Sequence, residues 1–175
     1  MIKILFVCHG NICRSPMAEY VMKDMVQARE ADLRKVGLSA ADFEIRSAAT
    51  STEEIGNPVY PPARRMLNSH GINCNGHAAR QMNQWDYDHY DYIILMDRNN
   101  LRNLRWNIDA DSYKFETAAR ENSDGERRKV SMMMDWTNRP GDVADPWYTG
   151  NFDATWRDVN EGCEGLLSFI MTSRK

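Results

Sequence analysis

Apolar and polar positions along the chain switch repeatedly between a period of two and a helical period. Ile2 to Val7 is a short apolar run of the kind that forms a buried strand. Further on, Ala18, Val21, Met22 and Met25 recur at helical spacing, which predicts a helix with this stripe buried and Glu19, Lys23 and Asp24 on the opposite face. A Met-rich stripe of this type is core filler. Gly37 ends the polar continuation of the helix, and Phe43 to Ala48 alternates Phe43, Ile45 and Ser47 against Glu44 and Arg46, a second strand. Ser47 to Pro62, with Gly56, Pro58, Pro61 and Pro62, reads as a loop delivering a short helix through Ala63, Met66 and Leu67 that stops at His70-Gly71.

The second half repeats the alternation. Trp85, Tyr87 and Tyr90 crowd one segment and are expected to cap the sheet. Asp91 to Met96 is almost continuously apolar, as in a parallel strand covered on both faces, and Asn99 to Trp106 returns to helical spacing. Ile108 to Arg128 is polar and charged, with Asn122-Ser123-Asp124-Gly125 as a turn cluster, and reads as a solvated excursion. Val130 to Met134 is the fourth predicted strand. Phe152, Trp156, Val159, Cys163, Leu166, Leu167 and Ile170 recur at spacings of three and four, an amphipathic closing helix with Cys163 in its core stripe. Strands alternating with helices indicate a parallel α/β sandwich, and right-handed crossovers place helices on both faces. With 175 residues and no repeat or linker, one domain over 1–175 is expected.

Composition narrows the function classes. A net charge of −3 gives no footprint for nucleic acid or for an anionic membrane surface. No stretch approaches the ~20 apolar residues of a membrane span. The N-terminal apolar run is too short for a signal-peptide core, and Cys8, Cys13, Cys74 and Cys163 read as thiols of a reducing compartment. A cytoplasmic address is the expectation.

The chemistry concentrates at Cys8-His9-Gly10-Asn11-Ile12-Cys13-Arg14-Ser15, between the first strand and the first helix. A loop feeding a helix N-terminus aims backbone N–H groups and the positive end of the helix dipole at an oxyanion, so His9 to Ser15 are candidate phosphate-binding residues. Cys8, at the base of that nest, is the candidate nucleophile, and the field there favours a thiolate. Arg14 carries a planar fork that matches equatorial phosphoryl oxygens. Gly10 and Asn11 are the types that adopt left-handed backbone angles most readily. Ser15 is placed to cap the helix or to hydrogen-bond the sulfur. Asp97, at the carboxyl end of the third strand, is expected to orient its helix or neighbouring loops. Asp145-Pro146-Trp147-Tyr148 supplies a candidate acid, Asp145, on a stiffened loop with two aromatics to flank a substrate ring. The four histidines show no metal-ligand spacing such as His-x3-His, and no metal is expected.

Together, Cys8-x5-Arg14-Ser15 and the Asp145-Pro146-Trp147-Tyr148 loop resemble the low-molecular-weight protein tyrosine phosphatases, and the resemblance extends over nearly the whole chain. It implies a three-layer α/β/α sandwich with strand order 2-1-3-4. The activity it implies is phosphotyrosine hydrolysis through a cysteinyl-phosphate, without cofactors, on a phosphorylated protein, with inorganic phosphate as product and competitive ligand. His77-Ala78-Ala79-Arg80 is similar to the family's His-x-Ala-Arg segment, whose His supports the phosphate loop through the residue matched by Asn11. Thr52 and Glu53 match the wall of the substrate cleft, where Glu53 and Glu54 in place of an aromatic disfavour highly acidic substrates. The stretch from Ile108 looks longer than is usual in the family.

Cys13 has two readings: packing under the loop, or a reversible disulfide with Cys8 that shelters the nucleophile from over-oxidation, as in many family members. Three rival functions remain. A protein arginine phosphatase on this scaffold is favoured by a small wall residue such as Thr52. An arsenate reductase needs a mid-chain cysteine relay, where only Cys74 is present. A non-catalytic phosphoprotein-binding module needs neither Cys8 nor Asp145.

Overall fold

In the computed structural model, which describes residues 1–118 and 129–173, the first apolar run forms strand β1 (Ile2–Cys8). It pairs in parallel with β2 (Phe43–Ala49) on one side and β3 (Tyr92–Leu95) on the other, and β3 pairs with β4 (Val130–Met132). The sheet order is therefore β2-β1-β3-β4, with Cys8 beside Ala49 at its carboxyl edge.

Successive side chains of a strand point to opposite faces. On β1 this sends Ile2, Ile4, Phe6 and Cys8 into one core and Leu5 and Val7 into another. The first core is closed by α1 (Arg14–Ala28), α2 (Glu30–Lys35), α3 (Pro61–Ser69) and α8 (Phe152–Thr172). On the opposite face lie Tyr87 of α4 (Gln84–His89), Leu101 of α5 (Arg98–Asn103) and Tyr113 of α6 (Ala110–Thr117). Fully burying an aliphatic or Phe side chain contributes roughly 1.5–3 kcal/mol, so Ile4, Phe6, Ile93 and Ile94, all without exposed surface, anchor both layers. Cys163 faces the first core, as its stripe predicts. A short helix, α7 (Pro146–Thr149), precedes α8.

Five sequence expectations are corrected. Glu19 does not lie on a solvent face: it is 5% exposed, because Ser47 from the neighbouring strand hydrogen-bonds it. Trp85 does not cap the sheet; it is exposed and stacks on His89 with ring centroids 4.3 Å apart, while Tyr90 is buried and Tyr87 packs on the second core. The helical pattern over 99–106 breaks into α5 and a 3-10 turn, Leu104–Trp106. The polar stretch after Ile108 begins as α6, capped by Asp109, which accepts from the Ser112 N–H. Buried Glu116 on that helix accepts from the N–H groups of Lys129 and Val130, securing the start of β4. The cluster Asn122 to Gly125 lies outside the described residues.

The fifth correction concerns β4, which ends at Met132 and gives way to a 3-10 turn, Met133–Trp136. That turn lies against Gly162 and Gly165 of α8. A Cβ at Gly165 would stand 1.8 Å from the Trp136 carbonyl oxygen, and one at Gly162 would stand 2.1 Å from Met133 Sδ. Glycine within a helix costs about 1 kcal/mol relative to alanine, so close approach is what these two positions supply. Gly165→Ala is expected to destabilise the protein by about 1–3 kcal/mol, the range of overpacking, despite its better helix propensity. A lowered denaturation midpoint at unchanged m-value reads this directly; an unchanged midpoint would show that the turn moves aside at no cost.

Candidate active site

Parity along β1 decides where the chemistry sits: Cys8 ends the strand pointing toward α1, and the loop of residues 9–13 curls over it. One residue, Asn11, carries the left-handed backbone angle (φ 59°) that turns the loop inward. Its N–H points at Cys8 Sγ, 3.3 Å away. Gly10 does not adopt a positive φ. Its small size serves approach instead, since a Cβ there would come within 3.3 Å of Glu54 Cγ. The N-terminus of α1 has no side-chain cap, so its first-turn N–H groups and dipole remain directed at the loop.

Ser15 does not cap the helix; Cys13 holds that position, and Ser15 Oγ lies 3.0 Å from Cys8 Sγ. The direction of this hydrogen bond follows from its neighbours. The Asn11 side-chain oxygen accepts from the Arg80 N–H, so its Nδ2 is the donor to both Ser15 Oγ (2.9 Å) and Ser47 Oγ (2.8 Å). Ser47 Oγ in turn donates to the buried Glu19 carboxylate at 2.5 Å. Ser15 is thus left to donate, to the sulfur at 3.0 Å or to the more distant Ala48 carbonyl at 3.4 Å. His77 Nε2 donates to the Asn11 carbonyl at 2.8 Å, the support that the family resemblance implies. Arg80 is held in turn by two hydrogen bonds to buried Asp86.

Arg14 is 2% exposed and gripped at both ends of its fork. Its Nη1 donates to Asp97 Oδ2 (2.5 Å) and to the Val143 carbonyl (3.0 Å), and Nη2 donates to Asp145 Oδ2 (3.1 Å). Burial works against its charge, but Cys8, Asp145 and Asp97 more than offset that and hold its pKa above the usual value. Asp97 meanwhile caps α5 by accepting from the Asn100 N–H. Its orienting role is therefore exerted on Arg14 as well as on its own helix. Asp145 caps α7 through Oδ1, which accepts from the Trp147 N–H.

Cys8, Arg14, Asp145, Trp147 and Tyr148 line one cleft of about 140 Å³, together with His9, Gly10, Ile12 and Cys13 from the loop. Asn11 and Ser15 are buried behind it. Glu53 lines the wall, as expected, and pairs with His9 at 3.0 Å. Thr52 is exposed and does not line the cleft; Glu54 does. Cys13 is a free thiol, and burial, followed by the charges of Cys8 and Asp145, pushes its pKa far above the usual range. Glu54 lines the wall at which the sequence reading places it with Glu53. Sequence reasoning does not single out Glu19 or Ser47 as site residues; Ser47 alone of the two carries a signal, a polar residue on the buried parity of β2.

Known proteins resemble this chain over its whole length. The profile of the low molecular weight phosphotyrosine protein phosphatases matches residues 3–175. The low molecular weight protein-tyrosine-phosphatase YfkJ of Bacillus subtilis is 36% identical over all of this chain and 99% of its own length. Its crystal structure superposes with a TM-score of 0.78, covering 100% of this chain and 98% of that one. A Drosophila arginine phosphatase is 28% identical over 97% of this chain and 98% of its own, with a TM-score of 0.74. With the profile spanning nearly every residue, the chain belongs to the low molecular weight phosphotyrosine protein phosphatases, a family of cysteine-dependent hydrolases.

Proposed function

We propose that the chain, acting as one catalytic domain over residues 1–175, hydrolyses phosphotyrosine in proteins with Cys8 as nucleophile. One observation carries this reading: the Cys8 sulfur, the Arg14 fork and the Asp145 carboxylate border a single cleft of about 140 Å³ flanked by Trp147 and Tyr148. Trp147 and Tyr148 offer aromatic surface against which a phenyl group above the loop can pack. Phosphate oxygens would take up the N–H groups of residues 9 to 15 and Arg14 Nη2, which in the resting site is on Asp145.

In the first step the Cys8 thiolate attacks phosphorus in line, the ester P–O bond breaks, and Asp145 gives its proton to the leaving phenol oxygen. In the second, water attacks the cysteinyl-phosphate and Asp145 takes its proton. The S–P bond breaks, Ser15 Oγ donates to the departing thiolate, and inorganic phosphate leaves, competing with substrate for the same loop. Asp97 and the Val143 carbonyl keep Arg14 in register throughout, so transition-state charge meets a preorganised cation.

A second reading, phosphoarginine hydrolysis, draws support from the Glu53 and Glu54 carboxylates beside the cleft, which suit a leaving guanidinium. The wall residue on which the sequence rests that alternative, Thr52, is exposed. An arsenate reductase is disfavoured: Cys74 and Cys163 are buried in the core, and burial raises both thiols. Four free thiols suit a cytoplasmic setting. No described helix is long and apolar enough to cross a membrane.

The test is turnover of a phosphotyrosine peptide and a phosphoarginine peptide side by side in chelator. Phosphotyrosine is the expected preference; the reverse preference would keep the chemistry and replace the substrate. Asp145→Asn is expected to lower kcat on the phenol ester by about 10²–10⁴-fold, the scale of general-acid catalysis. An unchanged kcat would place the acid elsewhere.

A further inference from the structure

Beside the cleft lies a second groove of about 440 Å³ whose walls are mainly apolar. The segment leading into α3 supplies Pro58, Val59 and Tyr60, and the first turns of that helix supply Pro61, Arg64 and Arg65. We propose that this groove is a subsite for the substrate polypeptide, taking an apolar side chain next to the phosphorylated residue and an acidic residue beyond it. The proposal rests on the phosphatase reading and specifies the substrates of that same site.

Continuity is the first argument. Ile12, Glu54 and Trp147 border both the cleft and the groove, so a chain whose phosphate lies on the loop reaches the groove by passing Trp147. The partition between them is firm. The Tyr60 N–H donates to the Ile12 carbonyl at 2.8 Å, and the Tyr60 ring packs on Trp147 with centroids 4.9 Å apart. The groove is therefore tied to the phosphate loop itself, and an apolar side chain lying in it would contact aromatic and proline surface already in place.

Charge is the second argument. Glu53, Glu54 and Asp145 make the cleft wall acidic, whereas the far end of the groove is basic. Arg65 is exposed and has no hydrogen-bond or ion-pair partner among the described residues. Arg64 is half-buried, and its guanidinium interacts with the Cys74 thiol, which leaves Arg65 as the free cation of the pair. A substrate carboxylate reaching α3 would find in Arg65 an exposed guanidinium to pair with. The wall thus disfavours acid next to the phosphorylated residue while the helix favours it further along, which turns a general bias against acidic substrates into a position-dependent one.

The test compares two phosphotyrosine peptides: one with leucine flanking the phosphotyrosine and glutamate beyond it on either side, and one with serine and lysine at those positions. The wild-type protein is expected to favour the first by about ten-fold in kcat/KM, the scale set by a few pocket contacts. Arg65→Glu is expected to cancel or reverse that ratio through KM, with turnover of phenyl phosphate unchanged. Equal kcat/KM for the two peptides would overturn the subsite, as would an Arg65→Glu effect as large on phenyl phosphate as on the peptides. Failure to hydrolyse phenyl phosphate would instead sink the phosphatase reading. The groove is then judged by calorimetric binding of the same peptides to Cys8→Ser protein: tighter binding of the leucine–glutamate peptide supports it, and equal binding overturns it.

Discussion

Cys8→Ser protein is expected to hydrolyse a phosphotyrosine peptide no faster than buffer does, a loss of at least about 10⁴-fold on the precedent of nucleophile removal in other enzymes. Serine is close to cysteine in size, and Cys8 is buried among Ile4, Phe6 and Met17, so the core has little to repack. What changes is the reacting atom. Ser15 Oγ at 3.0 Å and the Asn11 N–H at 3.3 Å are arranged to receive a sulfur anion. A serine hydroxyl at the same place stays protonated unless a base removes its proton. Thermal denaturation should match the wild type while kcat vanishes. Turnover within ten-fold of wild type would remove Cys8 from the mechanism.

Arg14→Lys carries the next largest expectation, a fall in kcat on the order of 10³–10⁵-fold, the range for an arginine that stabilises phosphoryl-transfer charge. Lysine preserves the charge but not the shape. In the resting site one nitrogen of Arg14 serves Asp97 and the Val143 carbonyl while the other serves Asp145. That division lets the guanidinium stay anchored while its second nitrogen turns to a phosphate oxygen. A single ammonium group must choose between anchor and substrate. The measurement is kcat and KM for a phenol phosphate across the two proteins, alongside the competitive inhibition constant of inorganic phosphate. Loss of kcat with comparable phosphate affinity locates the effect in the transition state; an unchanged kcat would show that charge alone suffices at this position.

How far the site could be read in advance depends on sequence separation. The residues from Cys8 to Ser15 are contiguous, so local rules reached them: an apolar strand, a turn-forming pair and the start of a helical stripe. Asn11 fulfilled its backbone expectation and Gly10 did not, because Gly10 answers to Glu54, a residue of another loop. Asp97 was expected to orient something, but its object, Arg14, lies 83 positions away. Glu19 looked solvent-facing from its polar neighbours within one helix; its partner Ser47 comes from the adjacent strand. Thr52 and Glu54 are two residues apart in one loop, and the choice of which one faces the cleft belongs to the loop's folded path.

The sequence by itself determined the alternation of strands and helices, the phosphate loop between the first strand and the first helix, and the acid loop before the closing helix. Each of these depends on groups within a few bonds or turns of one another. Only the tertiary structure decided that Arg14 is clamped between Asp97 and Asp145, that Glu19 ends a buried chain of hydrogen bonds behind the thiol, and that two glycines of α8 admit the turn after β4. The physical reason is the sheet order. Placing β1 between β2 and β3 brings the carboxyl ends of distant segments together, and at those junctions burial and hydrogen bonding are set by neighbours that no local pattern can name.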